Sequence, residues 1–231
     1  MADILMVLTG TDRLTTTDGT VHPTGYWAEE FTAPYRAFAD AGHRVTVATP
    51  GGVVPTPDQA SLRPDMNGGA EGAAAVKGVL DAAPELRRPL ALADVDPSRY
   101  AAVFYAGGHG PMQDLAQDAD SARLLRGVMD AGTPLGVVCH GVAALLPART
   151  QDGGWLFTGY RLTAFSTVEE KQTGLADRLP WLLQERLEEA GADYSAAEPW
   201  TPHVVVDRNL YTGQNPASSA PLAEALLKTI G

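Results

Sequence analysis

Pro134-Leu135-Gly136-Val137-Val138-Cys139-His140-Gly141 contains the only cysteine among 231 residues. A short apolar run ends at that cysteine, histidine and glycine follow, and Val142-Ala143-Ala144-Leu145-Leu146 resumes the apolar character. The pattern reads as a buried strand, a sharp turn and a helix start. A side chain at such a turn stands at the carboxyl end of a strand and at the N-terminus of a helix. There the helix dipole favours a thiolate, the reactive form of cysteine. Gly141 permits the tight turn because it has no Cβ. Free cysteine is also among the most often buried residue types, so on this stretch alone a structural Cys139 competes with a reactive one.

Similar strand ends lie upstream. Ala101–Ala106 is an apolar run ending in Gly107-Gly108-His109-Gly110, and Ala119–Ala131 is an amphipathic helix with Leu124, Leu125, Val128 and Met129 inward. Ile4–Leu8 is a continuous apolar run, as a buried parallel strand requires. A long Thr-rich loop then leads to His22-Pro23-Thr24-Gly25, and loops of that length beside a strand are more often functional than decorative. Tyr26–Ala41 has helical spacing at Trp27, Phe31, Tyr35 and Phe38, and Pro34 is expected to kink it or interrupt its ladder. Val45–Ala48 is the second strand. These segments form a parallel β-loop-α-β unit.

The remaining segments are weaker. Residues 50–69 read as loop with a short hairpin at Val53-Val54, Ala70–Ala82 as an alanine-rich helix, and Asp96–Tyr100 as a capped turn. Gly153–Ala164 reads as a hairpin or strand pair, with a strand end at Leu162–Phe165 before Glu169 and Glu170. Pro180–Ala190 is a helix, Val204–Thr212 a hairpin, and Ser218 or Ser219 caps a last helix to Ile230. The whole reads as one α/β domain over residues 1–231, a mostly parallel sheet with helices on both faces.

Composition narrows the function classes. A formal net charge of −11, with Arg87-Arg88 as the one basic pair that stands out, argues against nucleic-acid binding. A single cysteine excludes an internal disulfide or a cysteine-built metal cluster and fits a reducing cytoplasm. Met1–Thr9 has neither a basic lead nor a small-residue cleavage pattern, so it reads as a first strand rather than a signal peptide. No apolar run reaches membrane-span length, so no membrane partner is expected.

In an open α/β sheet, sites form beyond the carboxyl ends of strands, where these polar groups fall. Gly107, Gly108 and Gly110 would let backbone N–H groups approach a bound oxygen, as in an oxyanion hole, although an ordinary strand-to-helix turn has the same look. The loop lacks the Gly-Lys-Ser/Thr of a phosphate loop. Cys139 needs a base, and the base an orienting partner: His140 is adjacent, and Glu170 or Glu169 can hold its ring. Glu30, with Glu29 beside it, can hydrogen-bond a thiol or shuttle protons. His22, His43 and His203 show no metal spacing and read as surface or structural residues.

Taken in chain order, these segments resemble the ThiJ/PfpI superfamily of class I glutamine amidotransferase-like proteins. The likeness rests on Thr24–Glu30, Gly42–Val45, Gly107–Gly110, Val138–Gly141, Leu162–Glu170 and Thr212–Ser218. Within it the chain is similar to the branch of heat-shock chaperones and glutathione-independent glyoxalases, glyoxalase III. The resemblance implies a flavodoxin-like three-layer sandwich. It implies that Cys139 is the nucleophile, His140 and Glu170 complete a triad, and Glu30 hydrogen-bonds the thiol. It further implies that Gly107, Gly108 and His109 offer backbone amides to substrate oxygen. The implied activity is a lyase of the D-lactate dehydratase type, converting small 2-oxoaldehydes such as methylglyoxal to 2-hydroxy acids with no cofactor and no metal, in a cytoplasmic homodimer. A holdase chaperone, a cysteine-dependent hydrolase or a biosynthetic tailoring enzyme on the same site are the alternatives. The His-x-Glu of true glutaminase triads is missing, which speaks against glutamine hydrolysis. Residue 142 is Val where many relatives have proline, and residues 50–95 match loosely.

Overall fold

The computed structural model describes residues 1–230. The strands are β1 (Asp3–Val7), β2 (Arg13–Thr15), β3 (Val21–Pro23), β4 (Arg44–Thr49), β5 (Leu90–Ala91), β6 (Ala102–Tyr105), β7 (Leu135–Val138), β8 (Arg161–Leu162), β9 (Asp193–Tyr194), β10 (Val204–Asp207) and β11 (Leu210–Gly213). The α-helices are α1 (Ala28–Asp40), α2 (Ala70–Ala82), α3 (Gly110–Gln113), α4 (Ala119–Asp130), α5 (Thr167–Thr173), α6 (Leu183–Ala190) and α7 (Ser219–Ile230). Seven strands form the main sheet in the order β5-β4-β1-β6-β7-β11-β10, all parallel except the edge strand β10. This is the flavodoxin-like α/β fold expected from the sequence.

β1 shows why a continuous apolar run became a central strand. Ile4, Met6 and Leu8 belong to a core layer with Phe31 and Phe38 of α1 and Leu222 and Leu226 of α7. Leu5 and Val7 belong to the opposite layer, with Leu124, Leu125 and Val128 of α4. Successive side chains alternate faces, and both faces are covered, so every position from Ile4 to Leu8 is apolar. Truncating one such side chain to alanine costs about 2–5 kcal/mol.

The chain runs from β1 outward to β4 and β5, then returns to build β6, β7 and β11 on the other side. The order therefore reverses between β1 and β6. Crevices at the carboxyl ends of strands form at such reversals. Thr9 follows β1, Gly107 follows β6, and Cys139 follows β7 at this end of the sheet.

Several expected elements differ. α1 continues through the buried Pro34, which removes one N–H from its ladder as expected without ending the helix. The long loop after β1 contains the β2–β3 hairpin. Val53-Val54 makes no hairpin; residues 50–66 are mostly 3₁₀ turns. Gly153–Ala164 is mainly turns: only Arg161–Leu162 is strand, and it pairs with β9 rather than within the segment. Helix α6 begins at Leu183, not Pro180. The turn after Cys139 continues as 3₁₀ turns to Leu145 rather than as an α-helix. Among the described residues, no helix is long and apolar enough to cross a membrane.

Candidate active site

Cys139 is the first residue beyond β7 and takes φ +57°, a left-handed conformation that a non-glycine side chain rarely adopts. Such strain costs roughly 1–3 kcal/mol and clusters at functional positions. Around it, Gly141 and Gly108 let neighbouring backbone segments come close. A Cβ on Gly141 would lie 2.8 Å from Ala106 O, and one on Gly108, at φ +89°, would lie 2.4 Å from Gly25 O. Three loops thus approach one another closely only because these positions lack side chains.

The structure brings together the four predicted catalytic side chains. His140 Nδ1 lies 3.4 Å from Cys139 Sγ. His140 Nε2 lies 2.5 Å from Glu170 Oε2. Glu170 sits in the first turn of α5, which begins with a capping box between Ser166 and Glu169. Glu30 sits in the first turn of α1 and accepts the Gly107 N–H at 2.6 Å through Oε2, while its Oε1 is buried with no hydrogen-bond partner.

Electrostatics assign the protons. Burial alone would raise the Glu170 carboxyl, but the neighbouring His140 and His109 rings hold it well below the usual carboxylate range. An ionised carboxylate only accepts hydrogen bonds, so His140 donates from Nε2 and leaves the Nδ1 lone pair facing the sulfur. Burial, and then the His109 ring, push the His140 imidazole towards its neutral form. Burial pushes Glu30 up to about 8, so at neutral pH it is largely a carboxylic acid.

The expected thiolate is corrected here. Burial first, and then the neighbouring Glu30 carboxyl, push the Cys139 thiol well above its ordinary value. The backbone N–H groups of His140 and Gly108 act in the opposite sense, but burial outweighs them. The resting pair is a thiol and a neutral imidazole. Attack by sulfur on a carbonyl then requires the proton to leave as the bond forms, and Nδ1 is placed to take it.

The predicted amide donors divide. Gly107 N–H is already bound by Glu30, so it is unavailable to substrate oxygen. Gly108 lines the cavity with Cys139, and its N–H favours the charged form of the sulfur. His109 is placed at the site by its side chain: Nε2 lies 2.9 Å from Glu170 Oε1, and its ring centroid is 4.1 Å from that of His140. Glu170 thus serves two imidazoles, and Thr173 Oγ1 lies 3.0 Å from its Oε1. The sequence marked His109 by its place in a Gly-Gly-His-Gly strand end. A partner 61 positions away left no local signal.

The remaining candidates separate in the same way. Glu169 accepts five hydrogen bonds, from Ser166 N and Oγ, Gln214 Nε2, Asn215 Nδ2 and Trp200 N. It ties the Trp200 loop to α5 and lies outside the triad. Glu29 is half-buried and lies outside the cavity. His22, expected to be a surface or structural residue, lines the cavity, with its ring edge-on to His109 at 6.5 Å. His43 accepts the Ala2 N–H at Nδ1, away from the site.

His109, His140 and Glu170 present ligand atoms within 4.8 Å of one another. Their separations of 2.5 and 2.9 Å are hydrogen-bond lengths. Two ligands on one tetrahedral zinc stand roughly 3.3 Å apart, given metal–ligand distances of about 2.0–2.1 Å. The cluster would have to open to take a metal.

A cavity of about 750 Å³ lies over Cys139 and His140, walled by Trp27, Pro57, Phe165 and Trp200 among others. A second cleft, lined by Gln113, Arg149 and Trp181, shares no residue with it.

A family model described as "DJ-1/PfpI family" matches residues 21–229. Human glutamine amidotransferase-like class 1 domain-containing protein 1 is 38% identical over 143 residues, 62% of this chain and 65% of the human protein. The chain therefore matches just under two thirds of that relative's length. Glyoxalase 3 of Candida albicans is 27% identical over 98% of both chains, and the crystal structure of glyoxalase III from that organism superposes with a TM-score of 0.85, covering 99% of this chain and 97% of that one. The Francisella tularensis Rapid Encystment Protein 24 kDa superposes over 100% of both chains, with a TM-score of 0.88 and 30% identity.

Proposed function

The chain belongs to the DJ-1/PfpI family, and from that membership and the site geometry we propose that it is a glutathione-independent enzyme of the glyoxalase III type. It converts a 2-oxoaldehyde and water to a 2-hydroxy acid, as a lyase of the D-lactate dehydratase type. The observation that carries the reading is the chain of contacts from Cys139 through His140 to Glu170, with the Glu30 carboxyl buried beside the thiol. The names of Candida albicans Glyoxalase 3 and of a probable glutathione-independent glyoxalase from Schizosaccharomyces pombe support it.

In this reading the Cys139 sulfur bonds to the aldehyde carbon while its proton passes to His140 Nδ1, and the aldehyde oxygen is protonated to give a hemithioacetal. Glu170 stabilises the imidazolium that forms. Gly108 N–H faces the oxyanion as it develops. His140, neutral again once it has passed its proton to the aldehyde oxygen, or the ionised fraction of Glu30 then takes the proton from the former aldehyde carbon, leaving an enediolate. Glu30, whose carboxyl titrates near 8, is matched to proton transfer near neutral pH. Return of a proton to the adjacent carbon gives a thioester of the 2-hydroxy acid, and water cleaves the C–S bond, releasing the acid and restoring the thiol. No external thiol is consumed, since the protein provides its own.

The test is methylglyoxal consumption by purified protein without glutathione. The reading expects lactate in equimolar yield, lost in Cys139→Ala. Equal rates for the two proteins would reject it.

A further inference from the structure

We infer that the site accepts neutral 2-oxoaldehydes carrying an aryl or branched apolar substituent, with that substituent lying along Phe165 and Trp200. This rests on the glyoxalase reading and names the substrate class within it.

Three observations support it. The first is size. The cavity holds about 750 Å³, in the range of about 300–1,000 Å³ typical of sites for drug-sized ligands. A three-carbon oxoaldehyde bound at Cys139 would leave most of the walls untouched.

The second is the shape of one wall. Beginning at His140, Phe165 follows at 4.5 Å between ring centroids, and Trp200 stands edge-on to Phe165 at 5.5 Å. Phe165 and Trp200 thus present adjoining apolar rings to the cavity, next to His140. Trp200 is held there deliberately. Its backbone takes φ +63°, its N–H is bound by buried Glu169, and its indole Nε1–H is bound by Gln172. A large aromatic residue in a strained conformation, tied at both ends and 44% exposed, is a positioned wall rather than a core residue.

The third is charge. No Lys or Arg lines the cavity; its formally charged side chains are Asp12 and Asp58, and ionised Glu170 lies beneath the two histidines. An anionic substrate would find no counter-charge. For a cation, Asp58 already accepts from Thr24 Oγ1 and Ala60 N–H, and Asp12 is paired with Arg13 at 2.7 Å. The lining that stays uncommitted is the apolar wall of Trp27, Phe165 and Trp200, which suits a neutral apolar group.

The experiment compares kcat/KM for phenylglyoxal, methylglyoxal and the carboxylate-bearing 4,5-dioxopentanoate. Phenylglyoxal is expected to exceed methylglyoxal by at least about tenfold, and 4,5-dioxopentanoate to fall at least about tenfold below it, differences a buried ring and an unpaired charge produce. Trp200→Ala should lower the phenyl-to-methyl ratio at least fivefold, and Trp200→Phe should restore most of it, which a merely folding-defective variant would not show. Equal rates for phenyl and methyl substrates, or a preference for the anion, would overturn the inference. If no oxoaldehyde is turned over, the glyoxalase reading fails by itself. Binding then decides the pocket, read from the fluorescence of Trp27 and Trp200 in Cys139→Ala protein. 1-Phenylpropane-1,2-dione should bind at least tenfold more tightly than benzoylformate or trimethylphenylammonium; equal or reversed affinities would sink the inference.

Discussion

Glu170 Oε2 meets His140 Nε2 at 2.5 Å while its other oxygen meets His109 Nε2 at 2.9 Å. One buried carboxylate therefore fixes the tautomer and orientation of two imidazoles whose rings lie 4.1 Å apart.

Replacing that carboxylate by an amide puts an N–H₂ opposite at least one imidazole N–H. Glu170→Gln is expected to lose about 1–3 kcal/mol for the buried donor left unpaired and to lower kcat at least about a hundredfold by freeing the tautomer. The sign with pH follows from its depressed pKa. The carboxylate's contribution is fully present above the ordinary value of 4.5 and fades as pH falls towards the folded-state value. Urea melts should thus show the gap between wild type and Glu170→Gln narrowing below that pH. A gap that stays constant into acid would contradict the assignment of an ionised Glu170.

Glu30 predicts the opposite slope. Its carboxyl ionises near 4.5 in the unfolded chain and near 8 when buried. Between those values the folded state holds a proton that the unfolded state has released. Stability should therefore fall as pH rises through the window, by up to about 1.4 kcal/mol per pH unit. Glu30→Gln removes the titration, so its stability should be flatter from pH 5 to 8 and exceed the wild type at the alkaline end. Parallel pH profiles for the two proteins would refute a protonated Glu30.

Adjacent Glu169 should behave differently from Glu170. It accepts five hydrogen bonds and carries the Trp200 loop. Glu169→Gln is expected to cost about 1.5–3 kcal/mol, as loss of a hydrogen bond to a charged group does. Kinetically it should raise KM for a phenyl-bearing substrate more than it lowers kcat, since Trp200 moves and the triad does not. A fall in kcat matching that of Glu170→Gln would show that the two glutamates share one role.

At position 139, φ of +57° should invert a usual order of stability. Alanine normally outranks glycine through unfolded-state entropy, but a left-handed residue carries a steric cost of about 1–2 kcal/mol that glycine escapes. Cys139→Gly should melt higher than Cys139→Ala, both being inactive. Thermal scans of the two proteins decide it, and a lower melting point for the glycine variant would show that the elbow is not strained.

The apolar runs at β1, β6 and β7 were legible because a strand covered on both faces has no polar position, and helices α1, α2 and α4 because their spacing or composition is local. Cys139, His140, Glu170 and Glu30 were legible as candidates because each stands at a strand end or a helix start in a chain with one cysteine. Short-range pairing was not: Gly153–Ala164 has strand-like composition yet forms one two-residue strand, paired with β9 some thirty positions on, and a single bridge from Trp155 to Arg149, because pairing depends on which segments the packing brings alongside.

By itself, then, the sequence determined the layered parallel fold and the residue types gathered at one edge of the sheet, since hydrophobic period and turn chemistry are local properties of the chain. Tertiary structure alone decided the protonation states. Burial keeps the Cys139 sulfur and the Glu30 carboxyl neutral, and two histidines hold Glu170 ionised. It also placed His109 on the shared carboxylate and Trp200 at the cavity wall. Desolvation and Coulomb energy depend on distances between atoms that lie far apart along the chain, and only folding sets those distances.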